Sequence, residues 1–464
     1  MIGKKIACVL ASAIMLAFMT ACSFNLLDNS DVMRPPRATG SKAEIQDCIE
    51  KQAGGAYTLK YARTGEYRTA IIMKDLTGDG EEESVALYCG SDKTSGINVS
   101  IMDEINGSWQ TVATFTNTFA EVDRVFFCDL NGDGCDDVLV GWGNYGLLPS
   151  QLTAYVRING EFTESSIEQT YSDIAYGSFT GNNCDSVMLF TLGSPDQTAK
   201  ASLVTMNDQK DSLKLASAVD MNTNVIEFQS ITKGYVNKEK FGVVVDGRIA
   251  NNHSVTQVLY CDGTNELVNP FADNVFMKRE NELISCDINF DGIIEIPVCS
   301  KLPGEDDEQE SVVGDLVTWN ICNLEPNNLK PVMYTVYNEA GGYLLTIDSE
   351  VYGEVTARSD DNGATQFYEW DTDAYSPEKG NLLFTVKRFT DEQWKNDGEA
   401  EGYQRIKSDG GYTYAVKFEK IEQPDYSDEY DYVGNDTDEE NVLYVPTIDE
   451  IESGFILTGD INRE

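Results

Sequence analysis

Two stretches of this chain gather oxygen donors at fixed spacing: "DLNGDGCDD" from Asp129 and "DINFDGIIE" from Asp287. Each carries a carboxylate or amide at positions 1, 3, 5 and 9 and a glycine at position 6. Donors of that type and number suit a hard cation, and calcium takes six to eight oxygens at about 2.3–2.6 Å in flexible geometry. The first set is Asp129, Asn131, Asp133 and Asp137, with the Cys135 carbonyl a natural fifth donor. The second is Asp287, Asn289, Asp291 and Glu295. A near match, "DLTGDGEEE", offers Asp75, Thr77, Asp79 and Glu83, and its uncharged Thr77 makes it the weakest of the three. Gly80, Gly134 and Gly292 stand where the backbone must bend sharply around an ion. An EF-hand or dockerin loop would close with an acid at position 12 and run into a helix. Here position 12 is Ala86, Val140 or Val298, and strand-like sequence follows. Asp and Asn also brace turns through their own backbone without metal. For a lone loop the two readings weigh equally; recurrence in register favours calcium, in a structural role.

The recurrence goes further. "SFTGNNCDS" at Ser178 and "GYVNKEKFG" at Gly234 keep the same place with most acids lost, too few to offset a dication. The five loops start 54, 49, 56 and 53 residues apart, a period that marks stacked supersecondary units. A short apolar run follows four of them, such as "VLVGW" (Val138 to Trp142), as fits strands covered on both faces. A hairpin comes next, turning at Asn106-Gly107 and Asn159-Gly160, because the favoured two-residue turn needs positive φ at both positions. Asn207-Asp208 and Asp262-Gly263 take that place later. One strand before the loop, one after and two in the hairpin make four per repeat, the unit of a β-propeller blade.

These motifs and their order resemble FG-GAP/VCBS-type propellers, including those of clostridial-type bacterial lipoproteins, over roughly Ala56 to Val336. The sharpest residues are the loops at Asp129 and Asp287. The expected fold is mainly β: a β-propeller of four-stranded blades, five repeats visible and up to seven possible, followed by a small α+β domain. The expected division is a signal peptide at 1–21, a linker at 22–40, the propeller at 41–338, a small antiparallel α+β domain at 339–421 and an acidic tail at 422–464. The alternating "GYLLTIDSEVYGEVTAR" and "NLLFTVKRFT" support the small domain, and "DEQWKNDG" offers one helical turn. The segment "VLYVPTIDEIESGFIL" could dock back as a strand or short helix.

The N-terminus reads as export machinery. Lys4 and Lys5 precede an apolar run from Ile6 to Phe18, too short for a comfortable membrane span, and Met19-Thr20-Ala21-Cys22 ends it. The stretch looks like a bacterial lipoprotein signal, with cleavage before Cys22 and a lipid on its sulfur; an ordinary secretory signal is the bland alternative. The expectation is a protein lipid-anchored at the extracytoplasmic face of the cell membrane. The formal charge is −44, from 78 acids against 34 bases. Such a surface repels nucleic acid and anionic headgroups and suits cations and basic partners. Eleven cysteines occur without a CxxC pair; removing Cys8 and Cys22 leaves nine, which cannot all pair within one chain.

Catalytic motifs do not emerge. There is no GxSxG, HExxH or P-loop, and the only histidine, His253 in "ANNHSVTQ", reads as a surface-loop residue. Trp142 in "WGNYG" could meet a sugar but more often such a residue is core. The leading expectation is a calcium-stabilised propeller that binds a protein or glycan, with no enzymatic activity and no nucleic-acid partner. The alternative is a propeller-fold carbohydrate-active hydrolase or lyase, which would use paired carboxylates.

Overall fold

The computed structural model describes residues 40–91, 96–194, 198–272, 277–305, 313–360, 362–371, 378–418 and 445–461. The signal segment, Cys22 and residues 419–444 of the acidic tail region lie outside the described residues. Among those described, no helix is long and apolar enough to cross a membrane. The chain divides into two compact units. The first runs to Ser172 and takes in Asn183–Ser186 and Val204–Leu215; the second holds Asp173–Asn182, Val187–Leu203 and the chain from Ala216 onward.

Among the described residues the strands form six sheets, and every neighbouring pair for which a register is resolved runs antiparallel. Helix α1 (Ser41–Gln52) opens the first unit and buries Ile45 and Ile49, one turn apart, beside Tyr88 and Trp109. The first sheet holds β1 (Tyr57–Leu59), β2 (Ile71–Lys74), β3 (Glu83–Gly90), β4 (Ile97–Ile105) and β5 (Ser108–Asn117). Strands β1 and β2 share one edge of β3, β1 pairing its last residues and β2 its first. The second is a four-strand meander of β6 (Glu121–Cys128), β7 (Asp137–Gly143), β8 (Gln151–Ile158) and β9 (Glu161–Ile167). The strand after each of the first two acidic loops is almost wholly buried: all of β3 but Gly90 and every residue of β7 are covered, whereas β9 alternates half-buried and exposed. That gradient is why the run after the loop is uniformly apolar while the hairpin alternates.

A third meander, β10 (Asp173–Gly177), β11 (Ser186–Thr191), β12 (Lys200–Met206) and β13 (Leu213–Asp220), is crossed by the unit boundary. The fourth comprises β14 (Glu227–Tyr235), β15 (Phe241–Arg248), β16 (Ser254–Cys261) and β17 (Leu267–Val268). The fifth runs β18 (Ile296–Lys301), β19 (Asp315–Cys322), β20 (Leu329–Asn338) and β21 (Tyr343–Ile347). The sixth has five strands: β22 (Val355–Ser359), β23 (Thr365–Asp371), β24 (Glu378–Thr390), β25 (Gln404–Asp409) and β26 (Tyr412–Phe418). The fold is therefore mainly β, with consecutive four-stranded antiparallel units of propeller-blade pattern at the expected period.

Three details differ from the sequence expectation. The fifth sheet extends past residue 338 through β21, which in turn pairs with β27 (Phe455–Leu457) from the far end of the chain. A capped helix, α2 (Ile448–Ser453), leads into β27; Thr447 and Glu450 form its capping box. The strand expected before the Asp287 loop is reduced to one bridge, Cys286 with Glu295. Its backbone is engaged elsewhere: Ser285 N donates to Asp246 Oδ2 at 2.7 Å and Leu283 N to Asn281 Oδ1 at 3.2 Å. Finally, the Asn207 turn is wider than two residues, closing from Asn207 N to Ser212 O with Lys210 at φ 57. The Asn106-Gly107 and Asn159-Gly160 turns have the expected positive φ at both positions.

Within the first unit a buried carboxylate ties the segment before β2 to β6. Asp123 receives Arg63 Nη2 at 2.8 Å, Arg124 Nε at 2.9 Å and the Tyr171 hydroxyl at 2.9 Å. Gly141 leaves the space, since a Cβ there would stand 2.0 Å from that hydroxyl. Burial pushes the Asp123 carboxyl up, but the Arg63 hydrogen bond, the Arg124 charge and the Tyr171 hydroxyl outweigh it and leave the group below the ordinary range. A carboxyl acidified by folding contributes stability that is complete above its unfolded value, about 3.9, and lost as pH falls through the lower folded value. Asp123→Asn is expected to destabilise the first unit by a constant amount from pH 7 to 5, the gap from wild type closing in stronger acid. Chemical denaturation across that range checks it; a gap that widens on acidification would contradict the assignment.

Candidate metal centre

The three acid-rich loops adopt one hydrogen-bonded design. At position 1, Asp75 Oδ2 accepts from Gly80 N at 3.0 Å, Asp129 Oδ2 from Gly134 N at 2.8 Å and Asp287 Oδ2 from Gly292 N at 2.8 Å. The other oxygen of each holds the front of the loop: Gly78 N donates to Asp75, Gly132 N to Asp129 and Asp291 N to Asp287. At position 5, Asp79, Asp133 and Asp291 each accept at 2.9 Å from the amide two residues on. Gly80, Gly134 and Gly292 all have φ between 85 and 89, a conformation open to glycine at no steric cost. The bend is thus held by the protein's own amides. For Asp75 these bonds, led by that from Gly78, pull the carboxyl below its ordinary value.

Position 9 is different. Glu83, Asp137 and Glu295 begin or precede the strand after each loop, and all three are buried. Each gives one oxygen to the amide at position 2: Leu76 N at 2.7 Å, Leu130 N at 3.0 Å and Ile288 N at 3.0 Å. Burial pushes the Asp137 carboxyl up to about 7, offset in part by hydrogen bonds from Leu130 and Arg157 and raised further by Asp133 and Asp129. Burial likewise pushes Glu295 up to about 8, with Asp291 and Asp287 adding to it, and raises Glu83. A buried carboxylate beside two others is an uncompensated charge. A dication among positions 1, 3, 5 and 9 would neutralise it, so the donor set fits calcium. Among the described residues no group of three or more His, Cys, Asp or Glu side chains is arranged to hold a metal by itself. That holds for the three carboxylates of each loop as well, so the fit to calcium rests on the chemistry of the donors and not on a converged arrangement.

Position 3 is engaged within each loop. Asn131 Oδ1 accepts from Asp133 N at 2.8 Å and Asn289 Oδ1 from Asp291 N at 2.9 Å, while the Thr77 hydroxyl lies 3.4 Å from Glu83 Oε1. The fifth loop carries Phe290 at position 4, with φ 61 and 84% of its surface exposed, where the first two carry glycine.

Successive loops of the first unit lean on each other. A Cβ on Gly78 would stand 2.9 Å from Cys135 Sγ, and one on Gly132 would stand 2.7 Å from Cys184 Sγ. Both glycines occupy position 4 of their loop and both cysteines position 7 of the next. Lys74 pairs with Asp136 at 2.7 Å, Asp185 N donates to Asp129 O at 2.6 Å, and the Lys210 ammonium caps the Asn131 carbonyl. The shared placement of the two cysteines therefore has a packing cause, and none of the nine described cysteines is in a disulfide. Gly132→Ala is expected to cost more than Gly134→Ala, whose Cβ would meet nothing within 4 Å. Both incur the left-handed penalty of roughly 1–2 kcal/mol. Cys184→Ala should reduce the excess for Gly132, leaving the part due to the Asn183 carbonyl at 3.2 Å, as a double-mutant cycle in chelator would measure; equal costs in both backgrounds would refute the contact.

The remaining candidates resolve simply. Trp142 is fully buried, its Nε1 donating to Thr153 Oγ1 at 3.1 Å, so it is core. His253 Nε2 lies 3.6 Å from Glu280 Oε1. The Gly234 loop keeps its turn with Asn237 in place of acids, its side chain accepting from Glu239 N and Lys240 N. Sequence reasoning missed Asp103. It follows Met102, which pairs with Ser84, so register sets it opposite Glu83, and no local motif marks it.

No family model matches the chain, and neither does any curated protein. Among solved structures, one titled "Structure of Dos1 propeller" aligns over 78% of this chain and 84% of that chain, at 13% identity and a TM-score of 0.31. That likeness is too loose to add to what the sheets themselves show.

Proposed function

We propose that this chain is a membrane-anchored extracytoplasmic lipoprotein of the FG-GAP/VCBS type, whose blades are braced by calcium and which binds a protein or glycan without turning it over. One observation carries the reading: the same amide-held bend, with a buried carboxylate at position 9, recurs before a strand in three blade-like sheets. Calcium there neutralises charge that the strands bury, and so fixes the loops that join them. The lipid on Cys22 would hold the protein at the membrane, and two acyl chains give a stable anchor where one does not. The strong negative charge favours cationic or neutral partners over nucleic acid. The test applies the mature chain, in calcium, to a glycan array and to envelope extracts. Retention of a specific glycan or protein, unchanged on recovery, is expected. Release of reducing sugar would instead make the protein a carbohydrate-active enzyme.

A further inference from the structure

Within the first unit, the hairpins of the first two sheets line a half-open cavity of about 430 Å3. That volume falls in the roughly 300–1,000 Å3 range of small-molecule sites. Its lining is asymmetric. The first hairpin contributes Asp103 from β4 and Phe115 from β5; the second contributes Arg157 from β8 and Phe162 from β9. Thr77, Glu83 and Thr114 form the remaining polar wall, together with the exposed Glu161. Asp103 and Arg157 face the same cavity, yet they do not pair with each other, and neither side chain has a hydrogen-bond or ion-pair partner among the described residues. Glu83, by contrast, already holds Leu76 N and the Thr77 hydroxyl. The second sheet closes the matching space with its own backbone: Arg157 N donates to Asp137 Oδ1 and Asn131 Nδ2 to Arg157 O. Only the Arg157 side chain is left to turn toward the first sheet's hairpin.

We infer that this cavity binds a small zwitterion of the α-amino acid class, its ammonium group on Asp103, its carboxylate on Arg157 and its side chain between Phe115 and Phe162. The alternatives fit less well electrostatically. A simple cation would leave the Arg157 guanidinium unpaired, and a simple anion would meet Asp103, Glu83 and Glu161. A neutral sugar would desolvate two opposite charges without pairing either, a cost that a zwitterion offsets at both ends. Arginine's planar fork suits a carboxylate, and the two phenylalanines favour apolar or aromatic side chains. The inference goes beyond the proposed calcium and recognition role. The cavity shares Thr77 and Glu83 with the first loop's donor set, but Asp103 and Arg157, which hold the ligand, lie outside it. Paired titrations in calcium and in chelator separate the two.

The experiment is a calorimetric titration of the mature chain with L-leucine and L-phenylalanine, once in calcium and once in chelator. Parallel titrations use leucinamide, which lacks the carboxylate, N-acetyl-leucine, which lacks the ammonium, cellobiose and spermidine. The free amino acids are expected to bind in both buffers and each blocked form to bind at least tenfold more weakly. Asp103→Asn and Arg157→Met should each weaken leucine binding at least tenfold with the melting temperature unchanged. Leucinamide, having nothing to offer Arg157, should be indifferent to Arg157→Met. Absence of binding by either amino acid, binding only of cellobiose or spermidine, or binding insensitive to both substitutions would overturn the inference. None of those results would touch the calcium response of the loops, which is measured separately.

Discussion

Asp246→Ala is expected to destabilise the second unit by about 3–5 kcal/mol, the usual cost of removing one partner from a buried ion pair. That corresponds to a fall in melting temperature on the order of 10 °C for a unit of this size. Asp246 and Arg279 are both fully enclosed and meet at 2.7 Å. Asp246 also accepts from the Thr256 hydroxyl, from Ser285 N at 2.7 Å and from Ser285 Oγ at 3.1 Å. Arg279 in turn donates to Thr256 Oγ1 and to the Leu283 carbonyl, each at 2.7 Å. The network occupies the place where the strand before the Asp287 loop would otherwise lie, so it anchors that loop's approach through side chains. Removing Asp246 leaves a guanidinium buried without a counter-charge. Removing both, as Asp246→Leu with Arg279→Met, should recover only part of the loss: the uncompensated charge is gone, but Ser285 N, the Thr256 and Ser285 hydroxyls and the Leu283 carbonyl lose their partners. Thermal melts of the two single variants and the double variant check this; a single variant that melts like wild type would contradict the network's role.

Calcium is expected to move the melting transition by a comparable amount. One site that binds only the folded chain adds about 2.7 kcal/mol when free calcium is a hundredfold above its dissociation constant. Two of the three loops belong to the first unit and one to the second, so both units should respond. Asp137→Asn separates the metal account from simple turn bracing. It removes a buried charge that folding disfavours, so in chelator the variant should be at least as stable as wild type near pH 8. In calcium it should be less stable, having lost a charged ligand. If Asp137 only braces the turn through Leu130 N, the variant would behave alike in both buffers.

How much of this was legible in the sequence depends on the range of the interaction. The hairpin turns at Asn106-Gly107 and Asn159-Gly160 and the glycines at position 6 were readable, because φ > 0 is a local demand that few residues meet. The buried strand after each of the first two loops was readable because burial on both faces leaves an uninterrupted apolar run. The short turn after Thr390 was readable too, and the structure shows its capping box with Gln393. Partners across sequence were not. That the segment holding Phe455–Leu457 docks back as a strand or short helix was readable, but its partner β21, more than a hundred residues away, was not. Asp123, Asp246 and Asp103 are three acids among 78, and nothing local separates them from solvated ones. Each is singled out only by what folding brings beside it: two arginines and a tyrosine, one enclosed arginine, or a glutamate across a strand pair. The fifth loop's missing strand was hidden for the same reason, since its amides are taken by side chains from elsewhere in the unit.

The most direct measurement is the number of calcium ions bound per chain by equilibrium dialysis, for the wild type and for Asp75→Ala, Asp129→Ala and Asp287→Ala. The account predicts one ion for each of the three loops in the wild type and the loss of one ion with each substitution. Bound calcium no higher than in a buffer blank, or a count that ignores all three substitutions, would contradict it.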